Sequence, residues 1–570
     1  MLGMNIGRHD SGVAYLNIKS PTDYSLEVFQ SERLTKKKNQ GDYPFVALKK
    51  FREDYPELFY ALTPAQVAMN SFHSAPSKME ELYRHFPTYG EFITNFGFEK
   101  FSTLHHPEIF QPGHHISHAY SAWGFSPFEK AMVIVFDGCG SKRGDFQDYY
   151  KENDIGTSGE GPHFETLSVY LLDNGKLKPV HKEWTSFEKA VKVNHFIGGS
   201  LGNLFSLTSS RIFGNWREAG KVMGLSSYGK PFKIDSLTDF QHMIIEEPFE
   251  IYKGKEAFDN QSQESFKRSA DIAASAQFYF EENFLKLCTE MKTKHSGFDN
   301  LILVGGCALN CLTNSRLLKD KYFKNVFIPP FPNDEGISIG AVLCLAHRED
   351  KIAFRKLNIN KMHAYLGRSK SAEITLKQMK ESFNDFKVRD WKDTPQVLAD
   401  GHIVAVFQGP SEVGPRALGN RSLLVRPDLK DIKKYLNENI KFREDFRPYG
   451  ATVLQEDVHH YFDVEPGFVA PFMTFAPLIR DSKESYLKGV THHDRTSRIQ
   501  TISSQQNHRF YEIISGFKAL TGESVLLNTS LNIMGQPILE DLSDAISFMK
   551  DSKVNYLMIN DYLLERDEKN

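Results

Sequence analysis

The stretch MNIGRHDSGVAYLNI, residues 4–18, decides how the chain is read. It divides into a strand, MNIGRH, a glycine-containing turn, DSG, and a second strand, VAYLNI. The pattern returns at VIVFDGCG (133–140), where a strand ends in an Asp-Gly turn and ETLSVYLL (165–172) follows as the return strand. This recurrence predicts two related lobes facing each other across a cleft. The polar stretch KENDIGTSGEGPH (151–163) reads as a surface loop.

Working outward, LILVGGCALN (301–310) is a third strand, running into Gly-Gly and then a helix. Ligands of open α/β sheets bind at the carboxyl ends of strands, so three strand ends are expected to converge on one site. The charged stretch HREDKIAFRKLNINK (347–361) is the expected junction, and a second α/β unit begins at AYLGRS beyond it. The expected domains are residues 1–348 and 365–570, since a chain of 570 residues exceeds what one hydrophobic core supports.

With 40% hydrophobic and 25% charged residues the composition is that of an ordinary folded protein, and a net charge of -3 gives no general attraction to phosphate backbones or anionic lipid. No nucleic acid and no membrane is therefore expected as partner. The amino end lacks a basic start followed by a long apolar core, and no apolar run is long enough to span a bilayer, so a soluble, cytoplasmic protein is expected. Five cysteines, none in a CxxC pair, read as reduced thiols.

In HHISHAYSA (114–122), His114 and His118 fall on one face of a helix, one turn apart, while His115 points elsewhere. Asp137 ends the VIVF strand, and Asp334, in PPFPNDEGISIG, sits at another strand-to-helix turn. The four residues could hold a divalent metal; a solvated helix with clustered histidines is the alternative. Gly305 and Gly306 in GGCALN would let backbone approach a nucleotide, with the dipole of the following helix facing it, or would form a plain tight turn. Lys221, in REAGKVMGLSSYGK (217–230), could meet phosphate or stay exposed. His9, in the first glycine turn, could be a general base toward a hydroxyl or a turn cap. In the basic run LTKKKNQGD (34–42), Lys36 and Lys37 read as a solvated face.

The second unit carries SEVGPRALGNRS (411–422), IKFREDFRPYGA (440–451), DRTSRIQT (494–501) and LLNTSLN (526–532). Arg416, Lys441, Arg447 and Arg498 could form a cationic pocket for a small phosphorylated anion, with Asn528 and Ser530 adding hydrogen bonds. Surface ion pairing would explain any one of these arginines. It explains four glycine- or proline-flanked segments less well.

Taken in order, HDSG, ERLTKKK, HHISHA, FDGCG, AGKVMGL, GGCALN, NDEGISIGA, GPRALGNRS, FRPYGA, RTSRIQT and LNTSLN run through nearly the whole chain. In this series the sequence resembles the NodU/CmcH-type O-carbamoyltransferases, a family that includes the tobramycin and cephem O-carbamoyltransferases. The resemblance implies an α/β protein of two domains: an ASKHA (actin-like ATPase, threonylcarbamoyl-transferase-like) domain followed by a YrdC-like domain. It implies that carbamoyl phosphate and ATP give carbamoyl adenylate in the second domain, and that the carbamoyl group passes to a hydroxyl of a small-molecule acceptor in the first. His114, His118, Asp137 and Asp334 would be ligands of a divalent metal, with Fe(II) the ion implied. Gly138, Lys221, Gly305, Gly306 and Asn310 would hold the nucleotide, His9 would be catalytic, and Lys38 would lie by the acceptor. Arg416, Lys441, Arg447, Arg498, Asn528 and Ser530 would grip carbamoyl phosphate. The family usually has a histidine where Asn39 stands, so acceptor recognition beside Lys38 is expected to differ. The rival readings are an ASKHA-type metabolite kinase, which leaves the last 200 or so residues without a role, and a non-catalytic assembly factor switched by ATP.

Overall fold

The computed structural model describes residues 1–6, 9–40, 44–71, 110–142, 163–190, 195–246, 263–354, 357–374, 386–533 and 535–566, with isolated positions between 375 and 385. Of the loop read at 151–163 all but His163 lies outside the described residues, as do residues 41–43 and 72–109.

Three sheets carry the chain. The first is built from β1 (Leu2–Ile6), β2 (Gly12–Ser20), β3 (Asp23–Gln30) and β4 (Val67–Ser71), in the order β3-β2-β1-β4. The second takes β5 (Ala131–Phe136), β6 (Phe164–Asp173) and β7 (Lys176–Thr185), then β10 (Asn300–Val304) and β11 (Asn325–Phe327), in the order β11-β10-β5-β6-β7. Between them in sequence, β8 (Phe187–Ala190) and β9 (His195–Gly198) form a separate ribbon. In each of the first two sheets one strand starts an antiparallel meander of three and pairs on its other edge with a later parallel strand: β1 with β4, β5 with β10. The recurrence of MNIGRH and VIVFDG is thus a repeat of topology. β5 is buried at all six positions, as an unbroken apolar run flanked by strands on both edges should be.

The third sheet comes entirely from residues 386–566. Its strands are β12 (Phe386–Asp390), β13 (Val404–Phe407), β14 (Arg421–Val425), β15 (Gly450–Leu454), β16 (Arg498–Ile502), β17 (Val525–Ser530), β18 (Tyr556–Ile559) and β19 (Tyr562–Arg566). They lie in the order β12-β19-β18-β13-β14-β17-β15-β16. Register sets Asn528, Gly450 and Arg498 side by side in one row across β17, β15 and β16.

Four helices position the chemistry: α1 (His114–Gly124), α2 (Gln263–Lys294), α3 (Cys311–Lys319) and α4 (Ile337–Arg348). α2 lays Phe280 and Phe284 on Phe136 of β5, with ring centroids 5.2 and 5.0 Å apart. α4 crosses α1 so closely that a Cβ on Gly340 would stand 1.7 Å from the Ser117 carbonyl oxygen. Only glycine permits that crossing, which brings the start of α4 to the start of α1. One hydrophobic core holds Met132 and Phe136 of the second sheet together with Ala405, Leu527 and Leu557 of the third. The expected junction is itself packed: Phe354 meets Trp123 edge-on at 4.4 Å. Among the described residues no helix is long and apolar enough to cross a membrane.

Candidate active site

Every residue of α1 from His114 to Trp123 is buried, which excludes the solvated-helix reading of the histidines. The first N–H groups of a helix have no partner within it. Here Ser141 Oγ accepts from the His114 N–H at 2.8 Å and Glu165 Oε2 from the His115 N–H at 3.3 Å. Glu165 is held in turn by Lys182 at 2.6 Å, and both are buried. The His115 ring turns away to Ser168 Oγ at 2.8 Å.

His114 and His118 face the two predicted carboxylates. Nε2 of His114 is 3.0 Å from Asp137 and 3.4 Å from Asp334; Nε2 of His118 is 3.6 Å from each. One ligand atom from each of the four lies within 4.8 Å of all the others. The His118 nitrogens have no hydrogen-bond partner. Asn5, the buried polar residue of β1, explains why the loops meet: its Nδ2 donates to the carbonyls of Asp10 and Asp334, both at 3.1 Å. His9 joins the rim, with Nδ1 2.8 Å from Asp10, Nε2 3.6 Å from Asp334 and its ring 5.6 Å from that of Trp216. Burial lowers its proton affinity, but Asp334, Asp10 and Asp137 outweigh burial and hold its pKa near 9. His114 is raised to about 10 in the same way, against burial, by Asp334 and Asp137.

The glycines of GGCALN are explained without a ligand. Gly305 has φ +96 and a Cβ there would lie 2.3 Å from the Phe136 carbonyl oxygen; one on Gly306 would lie 3.1 Å from the Asp137 carboxylate. Asn310 caps α3, its Oδ1 accepting from the Thr313 N–H at 3.2 Å and its Nδ2 donating to Gln277 at 2.9 Å. Gly138 lies against Asp137, its N–H donating to Oδ1 at 2.7 Å. Lys221 departs from the expectation of a free phosphate-binding ammonium: it pairs with Glu444 of the second unit at 2.8 Å and with Glu218 at 3.5 Å. Lys36 is not merely a solvated cation either, since it pairs with Asp544. Lys38 is exposed and feels the charges of Arg447, Glu218, Glu32 and Lys221, which places it at the seam between the units.

The cationic segments converge. Lys441 is buried, donating to Ser530 and to Asn532 Oδ1 at 2.8 Å, and burial followed by Arg443 and Arg447 pushes its pKa well down. Among the described residues Arg447 pairs only with Glu444, at 3.7 Å. Arg416 and Arg498 have no hydrogen bond or ion pair among the described residues, and the Nε of each is buried and unpartnered. Burial, then Arg416, bring the Arg498 pKa down to about 9. Asn528 Nδ2 donates to Thr452 and Gln500 at 2.9 and 3.1 Å, while its Oδ1 is buried without a partner. Arg443 was not singled out in the sequence, although it stands in the same quoted segment as Lys441. It stacks on Tyr449 at 4.3 Å and feels both Arg447 and Arg498. Arg416 also feels Glu335, the neighbour of Asp334, so the cationic pocket adjoins the histidine-carboxylate cluster.

A buried acid-histidine cluster thus stands beside a group of cationic side chains. Residues 1–343 match the family profile described as "Carbamoyltransferase N-terminus" and residues 395–566 the one described as "Carbamoyltransferase C-terminus", and the chain belongs to this carbamoyltransferase family. It is similar to "Nodulation protein NolNO" of Sinorhizobium fredii (strain NBRC 101917 / NGR234), 28% identical over 80% of this chain and 63% of that one. It is also similar to the 3'-hydroxymethylcephem-O-carbamoyltransferase of Amycolatopsis lactamdurans, 27% identical over 81% of each chain. Among solved structures, full-length HypF in its phosphate- and nucleotide-bound form matches at 14% identity with a TM-score of 0.33, over 61% of this chain and 56% of that one.

Proposed function

We propose that the protein is a cytoplasmic, ATP-dependent O-carbamoyltransferase with two linked sites: activation in a YrdC-like unit, residues 365–570, and transfer in an ASKHA-type unit, residues 1–348. Carbamoyl phosphate loses its phosphate to water, giving carbamate. A carbamate oxygen attacks the α-phosphorus of ATP, pyrophosphate leaves, and carbamoyl adenylate forms. The acceptor hydroxyl then attacks the carbamoyl carbon, its proton goes to a base, and AMP leaves.

The observation that carries this reading is the pair Arg416 and Arg498. Two guanidinium groups with buried, unpartnered Nε atoms beside Arg447 and Lys441 need an anion, and planar forks suit phosphate. Asn528 Oδ1, also buried and unpartnered, is an acceptor of the kind a carbamoyl NH₂ requires. The repeated topology of the first two sheets supports the ASKHA assignment. His114, His118, Asp137 and Asp334 fit a divalent ion: two imidazoles and two carboxylates offer four atoms within 4.8 Å of one another. Such an ion, Fe(II) by the family resemblance, would supply Lewis-acid charge at the transfer site. His9 stands at the rim as the base for the acceptor proton. Its high proton affinity rests on Asp334, Asp10 and Asp137, so a cation offsetting those carboxylates returns it to the neutral form that a base requires. Gly138, Lys221, Gly305, Gly306 and Asn310 would hold the nucleotide, and Lys38 would lie by the acceptor.

The test separates the half-reactions. In His9→Ala, pyrophosphate release from ATP and carbamoyl phosphate without acceptor persists, while carbamoylation of a panel of sugar and amino-sugar alcohols falls by about 10²–10⁴-fold, the usual worth of a general base. Equal loss of both activities in the folded variant moves His9 to the activation step. Unchanged transfer removes it from the chemistry.

A further inference from the structure

Arg416 has a long stem and no partner, so its backbone decides where the guanidinium stands. That backbone is the loop from Ser411 to Arg421, and a single carboxylate organises it. Glu412 is fully buried, and one of its oxygens accepts three backbone N–H bonds: from Leu418 at 2.7 Å, Asn420 at 2.8 Å and Arg421 at 3.1 Å. Three donors on one anionic oxygen form a nest that closes the loop on itself, with Arg416 inside the closed stretch.

The rest of the loop is fixed just as tightly. The Val413 N–H donates to the Ala364 carbonyl at 2.8 Å, the Gly414 carbonyl accepts from Arg33 at 3.0 Å, and the Leu418 carbonyl accepts from Tyr365 and Gln500, both at 2.8 Å. Ser422 Oγ accepts from the Gly419 N–H at 3.0 Å. Gly414, at φ +109, lies where a Cβ would come within 2.2 Å of the Pro330 carbonyl oxygen, in the segment leading to Asp334. Order of this density around a side chain with no partner among the described residues is the mark of a group held for a ligand.

We propose that Glu412 is a positioning residue, which locks the 411–421 loop so that Arg416 is presented to the anion of the arginine pocket; this rests on the reading of that pocket as the carbamoyl phosphate site. The carboxylate touches no substrate. Its partners are backbone N–H groups, and its contribution is to remove the freedom that Arg416 would otherwise lose on binding.

The probe is inorganic phosphate, titrated by calorimetry into the full-length protein, alongside hydrogen exchange at the Leu418, Asn420 and Arg421 amides. Glu412→Gln keeps the size of the side chain but offers three donors a neutral oxygen. Phosphate binding should weaken about tenfold, at the low end of what misplacing a binding group costs. The three amides should exchange faster, and the Michaelis constant for carbamoyl phosphate should rise while that for the acceptor stays unchanged. Arg416→Ala with Glu412→Gln should bind phosphate no worse than Arg416→Ala alone, because the two act through one contact. Wild-type affinity in Glu412→Gln, or losses that multiply in the double variant, overturns the assignment. Loss of binding in Arg416→Ala but not in Glu412→Gln overturns the role of Glu412 and leaves the pocket standing, whereas full binding in both overturns the pocket and this role with it. Should Glu412→Gln fail to fold, Ser422→Ala removes one loop bond only; it should weaken phosphate a few-fold, and unchanged affinity with faster exchange at Gly419 counts against the proposal.

Discussion

The histidine-carboxylate cluster and the arginine pocket are neighbours with opposite electrostatic designs. In the cluster acidic and basic side chains face each other inside the protein: His114, His118, Asp137 and Asp334 are all buried, and Asp334 is pulled well below the usual carboxylate range despite burial because His9 and His114 face it. In the pocket they are not: Arg416, Arg443, Arg447, Arg498 and Lys441 crowd together with Glu444 as the one carboxylate in contact among the described residues. A matched cluster contributes to the fold as it stands. An unmatched group of buried cations costs stability, which is why the proposed function gives it an anion to bind.

The largest effect should come from breaking the support of the matched side. Glu165→Ala leaves Lys182 buried and uncompensated beneath α1, and loss of one partner of a buried ion pair costs about 3–5 kcal/mol. Urea denaturation should show that loss, with divalent metal retention in dialysis falling alongside. A wild-type midpoint would show that water compensates Lys182.

On the unmatched side the signs of stability and activity should separate. Arg498→Ala loses a desolvated charge-assisted contact, expected at about 2–5 kcal/mol in carbamoyl-phosphate-dependent pyrophosphate release. Because burial and Arg416 already hold its pKa down near 9, removing the cation should leave the thermal midpoint unchanged or raised. A fall in midpoint would make Arg498 a structural residue.

The smallest effect should lie away from both sites. Lys36 pairs with Asp544 while 46% exposed, and an ion pair open to solvent is worth about 0–1 kcal/mol, so Lys36→Ala should change neither stability nor phosphate binding measurably. A larger loss would show that the seam between the units depends on that pair.

What the sequence disclosed followed from short-range pattern. The strand-turn-strand repeat at residues 4–18 and 133–140 reports topology because pairing partners lie close in the chain. His114 and His118 were visible because four residues are one helical turn. The partner of Lys221, Glu444, is 223 residues away, and no local pattern carries that contact. The glycines at 305 and 306 signalled close approach in the sequence, and in the fold Gly305 lies against the end of β5. Glu412 stood inside a quoted motif and went unremarked, since three N–H groups converging on one oxygen exist only once the loop has closed. Arg443 had the same composition signal as Lys441 and Arg447, and its stacking on Tyr449 and its bond to Asn437 reveal which way it points.

The apolar interior that runs from β5 through the long helix into the third sheet has a further consequence. Because the two halves share it, the metal-type cluster and the cationic pocket draw on a single folding free energy. A lesion beneath α1 is therefore felt at the arginines as fewer competent molecules, not as slower chemistry.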